Sequence, residues 1–206
     1  MKIGVLALQG DFAEHITSLN RLGVITVEVR LPKHLEKLDG LIVPGGESTT
    51  IGKLAKDFGL IDALQQFGRD KAIWGTCAGA IFLSKDVRHN QPLLGLMDIS
   101  IERNAFGRQV ASFETDLDIP AIQENPYDNR PFHAIFIRAP LIESVRGSAR
   151  ILAQLPDGRI VAAQQGHLLA TSFHPELTGD DRFHRYFLSL AEEQERSREI
   201  NTPSKG

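Results

Sequence analysis

The stretch Ala72-Ile73-Trp74-Gly75-Thr76-Cys77-Ala78-Gly79-Ala80 decides the fold. Ala72–Trp74 is a short apolar run that reads as a strand, and Ala78–Leu83 reads as a helix. Between them a nucleophile-type residue stands among small neighbours. Strand, sharp turn, helix is the nucleophile-elbow arrangement, with Cys in place of Ser. Such a turn is strained, and glycines on either side let the backbone pass closely. The side chain is delivered to the carboxyl end of the sheet, where ligands bind in open α/β folds. A helix N-terminus beneath the sulfur favours the thiolate. The alternative is a tight turn carrying an inert cysteine.

Toward the N-terminus the same alternation continues. Ile3–Leu8 reads as a buried strand, and Phe12, Ile16 and Leu19 fall on one helical face. Val24–Val29 is a second strand, and Leu41–Val43 a third, stopped by Pro44-Gly45-Gly46. Ser48 to Phe58 and Leu60 to Phe67 read as helices. Strands alternating with helices imply right-handed crossovers and a parallel sheet covered on both faces. The expected class is therefore α/β, a three-layer, flavodoxin-like, mostly parallel sheet.

Past the elbow the pattern changes. Ile99–Ile101, Val110–Leu117, Phe132–Ile137, Ile151–Leu155, Ile160–Ala163 and Leu168–Phe173 are strand-like with little helix between them. Pro156-Asp157-Gly158 predicts a hairpin turn. These segments form an antiparallel excursion from the parallel sheet. A last helix is expected from near Thr178, with Asp181 completing a capping box and Phe183, Tyr186, Phe187 and Leu190 as its apolar stripe. Residues 1–191 read as one domain, followed by a charged tail, 192–206, that frays.

Composition narrows the function. The 206 residues are 42% hydrophobic and 24% charged, with net charge -3. That balance, with no Lys/Arg cluster on one face, argues against nucleic acid as a partner. No apolar stretch approaches the roughly 18 residues of a membrane span, and the N-terminus has no secretory pattern, so a cytoplasmic location is expected. The single cysteine cannot form an intrachain disulfide.

A nucleophilic cysteine needs a base, and the base needs an orienting group. His174 follows the strand Leu168–Phe173 in Ser172-Phe173-His174-Pro175-Glu176, which places it at the sheet edge that bears Cys77. Glu176, two residues on, can hold the imidazole in one tautomer, so Cys77, His174 and Glu176 fit nucleophile, base and orienter. His15, His34, His89, His133 and His184 show no distinctive partner. A metal site on His167, His174 and Glu176 lacks recognised ligand spacing. The turn Val43-Pro44-Gly45-Gly46-Glu47-Ser48-Thr49-Thr50 again leads from strand to helix. Its glycines can point an N–H into a cleft, which with the Ala78 N–H would make an oxyanion hole. A phosphate cradle is the competing reading, without the Lys and spacing of a P-loop.

On these motifs the sequence resembles the class I (triad) glutamine amidotransferases. More narrowly, it resembles the PdxT/SNO family, the glutaminase subunits of pyridoxal 5′-phosphate synthase. The resemblance runs from Gly4-Val5-Leu6-Ala7-Leu8-Gln9-Gly10 to Phe173-His174-Pro175-Glu176-Leu177. The narrower likeness rests on Pro44–Thr50, on Glu102-Arg103-Asn104-Ala105-Phe106-Gly107-Arg108-Gln109 and on Phe136-Ile137-Arg138-Ala139-Pro140. It implies Cys77 as nucleophile, His174 as base and Glu176 as orienter, with Gly46 and Ala78 at the oxyanion hole. Gly46, Glu47, Ser48, Arg103, Ile137 and Arg138 would line the glutamine site. It further implies hydrolysis of L-glutamine to L-glutamate and ammonia. The ammonia would pass to a synthase subunit that forms a dodecameric core, and the glutaminase would hold no metal or organic cofactor. The segment Gln123–Pro131 looks longer and more polar than the family pattern. Other readings are the glutaminase subunit of another amidotransferase, such as imidazole glycerol phosphate synthase, a related single-cysteine hydrolase, and a catalytically dead binding subunit.

Overall fold

The computed structural model describes residues 1–87, 89–103, 112–125 and 127–201. The first half builds β1 (Lys2–Leu6), α1 (Phe12–Arg21), β2 (Ile25–Val29), β3 (Gly40–Val43), α2 (Ser48–Asp57), α3 (Leu60–Asp70), β4 (Ala72–Thr76) and α4 (Ala78–Leu83). β5 (Ser84–Asp86), β6 (Met97–Glu102), β7 (Ser112–Leu117), β8 (Phe132–Ile137), β9 (Leu141–Val145), β10 (Arg150–Gln154), β11 (Ile160–Gln165), β12 (Leu168–Thr171) and α5 (Arg182–Asn201) follow. The large sheet runs β2-β1-β3-β4-β12-β11-β9-β6-β5, with β10 paired to β11, while β7 and β8 form a separate ribbon. Pairing is parallel from β2 through β12 and antiparallel through β11, β9 and β6.

Side chains alternate across the sheet with the strand period of two. Leu41, Val43, Ile73 and Ala170 face a core covered by α2, α3 and α4. Ile42, Trp74 and Leu169 face the opposite core, with Phe183 and Phe187 of α5 and Leu19 of α1. Phe183 meets Trp74, Phe132 and Phe173 at ring-centroid distances of 6.1, 4.8 and 5.2 Å. Burying each such ring contributes about 1.5–3 kcal/mol.

The topology makes the site. β4 lies between β3 and β12, in register Val43 with Gly75 and Thr171 with Thr76. All three strands are parallel, so their carboxyl ends emerge side by side. The Gly45-Gly46 turn, Cys77 and His174 therefore share one edge of the sheet.

Several expectations need correction. β5 and β9 were not foreseen, because Leu141–Val145 contains Glu143 and buries only Ile142 fully. β12 ends at Thr171, and His174 is anchored instead by its N–H on Ile135 O at 2.9 Å. Within the expected strand Val110–Leu117, residues 110 and 111 lie outside the described residues. α5 starts at Arg182, not near Thr178. The hydroxyl of Thr178 donates to Pro175 O at 2.9 Å and accepts from Asp180 N at 3.2 Å, so it closes a turn rather than a capping box. Asp181 pairs instead with Arg21 at 2.6 Å. Of the expected tail 192–206, residues up to Asn201 continue α5, with the Lys71–Glu195 ion pair and Arg196–Glu192 at 3.3 Å along it, and residues 202–206 lie outside the described residues. In the polar segment 123–131, Asp128 is buried against Arg130, and Arg182 donates to the carbonyls of Arg130 and Pro131. No described helix is long and apolar enough to cross a membrane.

Candidate active site

Cys77 sits between β4 and α4 with φ 48° and ψ −106°, a left-handed backbone that non-glycine residues rarely adopt. Its N–H donates to Thr171 O at 2.8 Å, which ties the turn to β12. The flanking glycines answer to close approach. A Cβ on Gly75 would lie 2.5 Å from Gly79 C, and one on Gly79 would lie 1.9 Å from Val43 O. The sulfur is 3.9 Å from Ile137 O, and Cys77 is 7% exposed at the cleft floor.

His174 and Glu176 are 3% and 6% exposed. His174 Nδ1 is 2.7 Å from Glu176 Oε1 and 3.5 Å from Asp11 Oδ2. A carboxylate on Nδ1 places a proton there and leaves Nε2 as the nitrogen that faces the thiol and exchanges its proton. Nε2 is buried without a hydrogen-bond partner among the described residues, and its charge partner is Cys77. Burial opposes the imidazolium, but the interactions with Cys77 and Glu176 outweigh it and push His174 up to about 10. Burial drives the Glu176 carboxyl upward, against the pull of its hydrogen bond from His174. Asp11, His174 and Glu176 present ligand atoms within 4.8 Å of one another, the one such group among the described residues. Both carboxylates converge on a single ring nitrogen, which suits an orienting role better than ligation. His167 is elsewhere, with Nε2 3.0 Å from Gly68 O.

The turn after β3 supplies the opposite wall. Gly46 has φ 151°, and a Cβ there would lie 2.4 Å from Gln9 Oε1. Gln9 Oε1 accepts the Glu47 N–H at 2.8 Å, and Gly45 O accepts the Asp11 N–H at 3.1 Å. The Glu47 side chain caps α2, accepting from Thr49 N at 3.1 Å and Thr50 N at 2.7 Å. Burial works against its charge, but the bonds from Thr50 and Thr49 prevail and hold it down at about 2. Arg103 reaches across to Glu47 Oε1 at 3.2 Å and to Gln91 Oε1 at 3.1 Å.

Gly46, Glu47, Ser48, Cys77, Ala78, Arg103 and Arg138 thus line one cleft of about 380 Å³, completed by Gln9, Ile81 and Pro140. Ile137 is not among the residues that line the cleft; its carbonyl stands 3.9 Å from the Cys77 sulfur, and the residue is 42% exposed. Asn104 to Gln109 lie outside the described residues. A thiol, an imidazole and a carboxylate in series beside a charged cleft can carry out acyl transfer from a small, zwitterionic amide.

Sequence reasoning missed Gln9, Asp11, Gln91 and, most of all, His15 and His184, which are fully buried. Helical arithmetic could have found the last two. His15 lies three residues from Phe12 and four from Leu19, and His184 three before Phe187, so each falls on its helix's inward face.

The SNO glutamine amidotransferase family matches residues 5–193. The chain is 58% identical over 195 residues to pyridoxal 5′-phosphate synthase subunit PdxT of Herpetosiphon aurantiacus, covering 92% of this chain and 100% of that protein. It is 54% identical over 190 residues to the subunit of the same name from Pelotomaculum thermopropionicum, covering 91% and 94%. A solved glutamine amidotransferase structure is 50% identical with a TM-score of 0.85, covering 92% of this chain and 98% of its own. The PurLQS structure from Thermotoga maritima, at 16% identity and a TM-score of 0.67 over 93% and 97%, shares the fold.

Proposed function

The chain belongs to the SNO glutamine amidotransferase family, and from that premise we infer that it is the glutaminase subunit of a pyridoxal 5′-phosphate synthase. It hydrolyses L-glutamine to L-glutamate and ammonia, and the ammonia passes to the synthase subunit. The two relatives above are both subunits of that synthase, which disfavours the imidazole glycerol phosphate synthase alternative.

The observation that carries the residue-level reading is the His174–Glu176 pair at 2.7 Å, set beside the only cysteine at the cleft floor. The Cys77 thiolate attacks the side-chain amide carbon of glutamine. The amides of Gly46 and Ala78 hold the resulting oxyanion. His174 passes its proton to the leaving nitrogen, and ammonia departs from a thioester. His174 then takes a proton from water, which attacks the thioester and frees glutamate and the thiolate. Glu176 fixes the imidazole and balances its charge. Arg103 and Arg138 hold the substrate carboxylate, Glu47 its ammonium group, and Ser48 and the Ile137 carbonyl border the channel. No metal or organic cofactor enters this sequence of steps. The cytoplasm, where a lone thiol stays reduced, is the setting it fits. One globular domain over residues 1–191, docked on a dodecameric synthase core, is the assembly we propose.

The test is glutamate release from glutamine as the cognate synthase subunit is titrated in. Release that rises with the synthase and saturates on complex formation is expected. Full release by the isolated chain, unchanged by the synthase, contradicts the coupling. No release under any condition contradicts the glutaminase itself.

A further inference from the structure

Behind the Cys77–His174–Glu176 arrangement lies a buried pair of histidines that the chemistry above does not use. His15 and His184 are both 0% exposed. His15 Nε2 is 3.2 Å from Thr76 Oγ1 and 3.4 Å from Glu176 Oε2, and His15 Nδ1 is 3.1 Å from His184 Nε2. Trp74 presses edge-on against both rings, with centroids 5.5 and 5.0 Å away. Glu176 uses Oε1 for His174, and its Oε2 is buried with no standard hydrogen bond among the described residues.

We propose that His15 is a positioning residue: its Nε2–H supports the second oxygen of Glu176, and His184 fixes the tautomer that puts the hydrogen there. The proposal rests on the glutaminase reading above. A lone pair 3.4 Å from a carboxylate oxygen would be repelled, so Nε2 of His15 carries the proton. Nδ1 then accepts, and His184 Nε2 donates to it. The donors all point one way, from His184 to His15 to Glu176, while His174 donates to Glu176 from the other side. Burial keeps both histidines neutral: it is the chief cause lowering His15, and it holds His184 at about 4. A neutral donor steadies the carboxylate without competing with the His174 imidazolium for its charge. Among the described residues, the titratable groups acting on Glu176 are His174, Asp11 and His15, and Asp181 and Arg21 act on His184.

The chain has one cysteine, so thiol alkylation reports Cys77 alone and needs no glutamine turnover. The experiment measures the pH profile of iodoacetamide alkylation, and kcat and KM with the synthase subunit bound, for wild type, His15→Leu and His15→Gln. Gln keeps an N–H near the Nε2 position and Leu keeps only bulk. His15→Leu is expected to move the acid limb of alkylation to higher pH. It is also expected to lower kcat on the order of tenfold with KM little changed, a smaller loss than removal of a triad member brings. His15→Gln should restore both. An unmoved acid limb in His15→Leu, or equal loss in both variants, overturns the proposal. Should His15→Leu not fold, the ring-nitrogen NMR shifts of the wild-type protein decide: an Nδ1–H tautomer of His15 overturns it, and an Nε2–H tautomer supports it. Absence of glutamate release by wild type would instead refute the glutaminase reading, and the alkylation and tautomer results would stand apart from it.

Discussion

Cys77 adopts its left-handed φ of 48° at the turn that lifts its sulfur toward the cleft. A non-glycine residue held there costs on the order of 1–3 kcal/mol, sustained by the structure around it. At this turn the Thr171 carbonyl and the two bare glycines supply that support. His174 transfers protons in both halves of the reaction, whereas Glu176 orients and balances it. His174→Asn is therefore expected to lower kcat by roughly 10³-fold or more and Glu176→Gln by less. Steady-state kinetics of the two folded variants with the synthase subunit check the order. Equal kinetics for wild type and His174→Asn would remove His174 from the mechanism.

Among the elements, α4 packs so closely on the end of β3 that Gly79 has no room for a methyl group. Gly79→Ala places its Cβ on Val43 O and is expected to destabilise the fold by about 1–3 kcal/mol, read as a lower urea midpoint. An unchanged midpoint would show that the elbow can spread. At the facing turn, Gly46 meets Gln9 and holds φ 151°, so Gly46→Val should depress glutaminase activity far more than binding to the synthase subunit, measured by sedimentation. The parallel half of the fold was legible because its strands are short apolar runs between glycines and helices, and Trp74-Gly75-Thr76-Cys77 marks their centre. β9 was not, since Glu143 interrupts its alternation and only tertiary pairing with β6 and β11 makes it a strand. The start of α5 was misplaced because Thr178 has the chemistry of a cap, and only the fold shows its hydroxyl spent on Pro175. His174 and Glu176 were legible as neighbours in sequence. His15 was not, because its partners Thr76, Glu176 and His184 lie 61, 161 and 169 residues away, although its helical face was readable.

For the whole molecule, the two buried histidines tie stability to pH. Folding depresses both below the ordinary value of about 6.5, His184 to about 4. Between those values the unfolded chain binds more protons than the folded one. The share of stability these two supply is therefore full above about pH 6.5 and falls as pH drops toward 4, by up to about 1.4 kcal/mol per pH unit for each histidine, whereas the share of His174, pushed up to about 10, is full below about pH 6.5 and is lost as pH rises toward 10. The depressed Asp128 carboxyl acts only at lower pH, below its unfolded value of about 3.9. Urea midpoints at pH 7, 6 and 5 should fall less steeply for His184→Gln than for wild type, and equal slopes in the two proteins would contradict neutral burial of His184. The central claim is that the cysteine at the elbow performs the glutamine chemistry, and it is tested most directly by glutamate release from the complex with the cognate synthase subunit, comparing wild type with Cys77→Ala. Release by wild type and none above background from a folded, synthase-bound Cys77→Ala protein is expected; substantial turnover by that variant would contradict it.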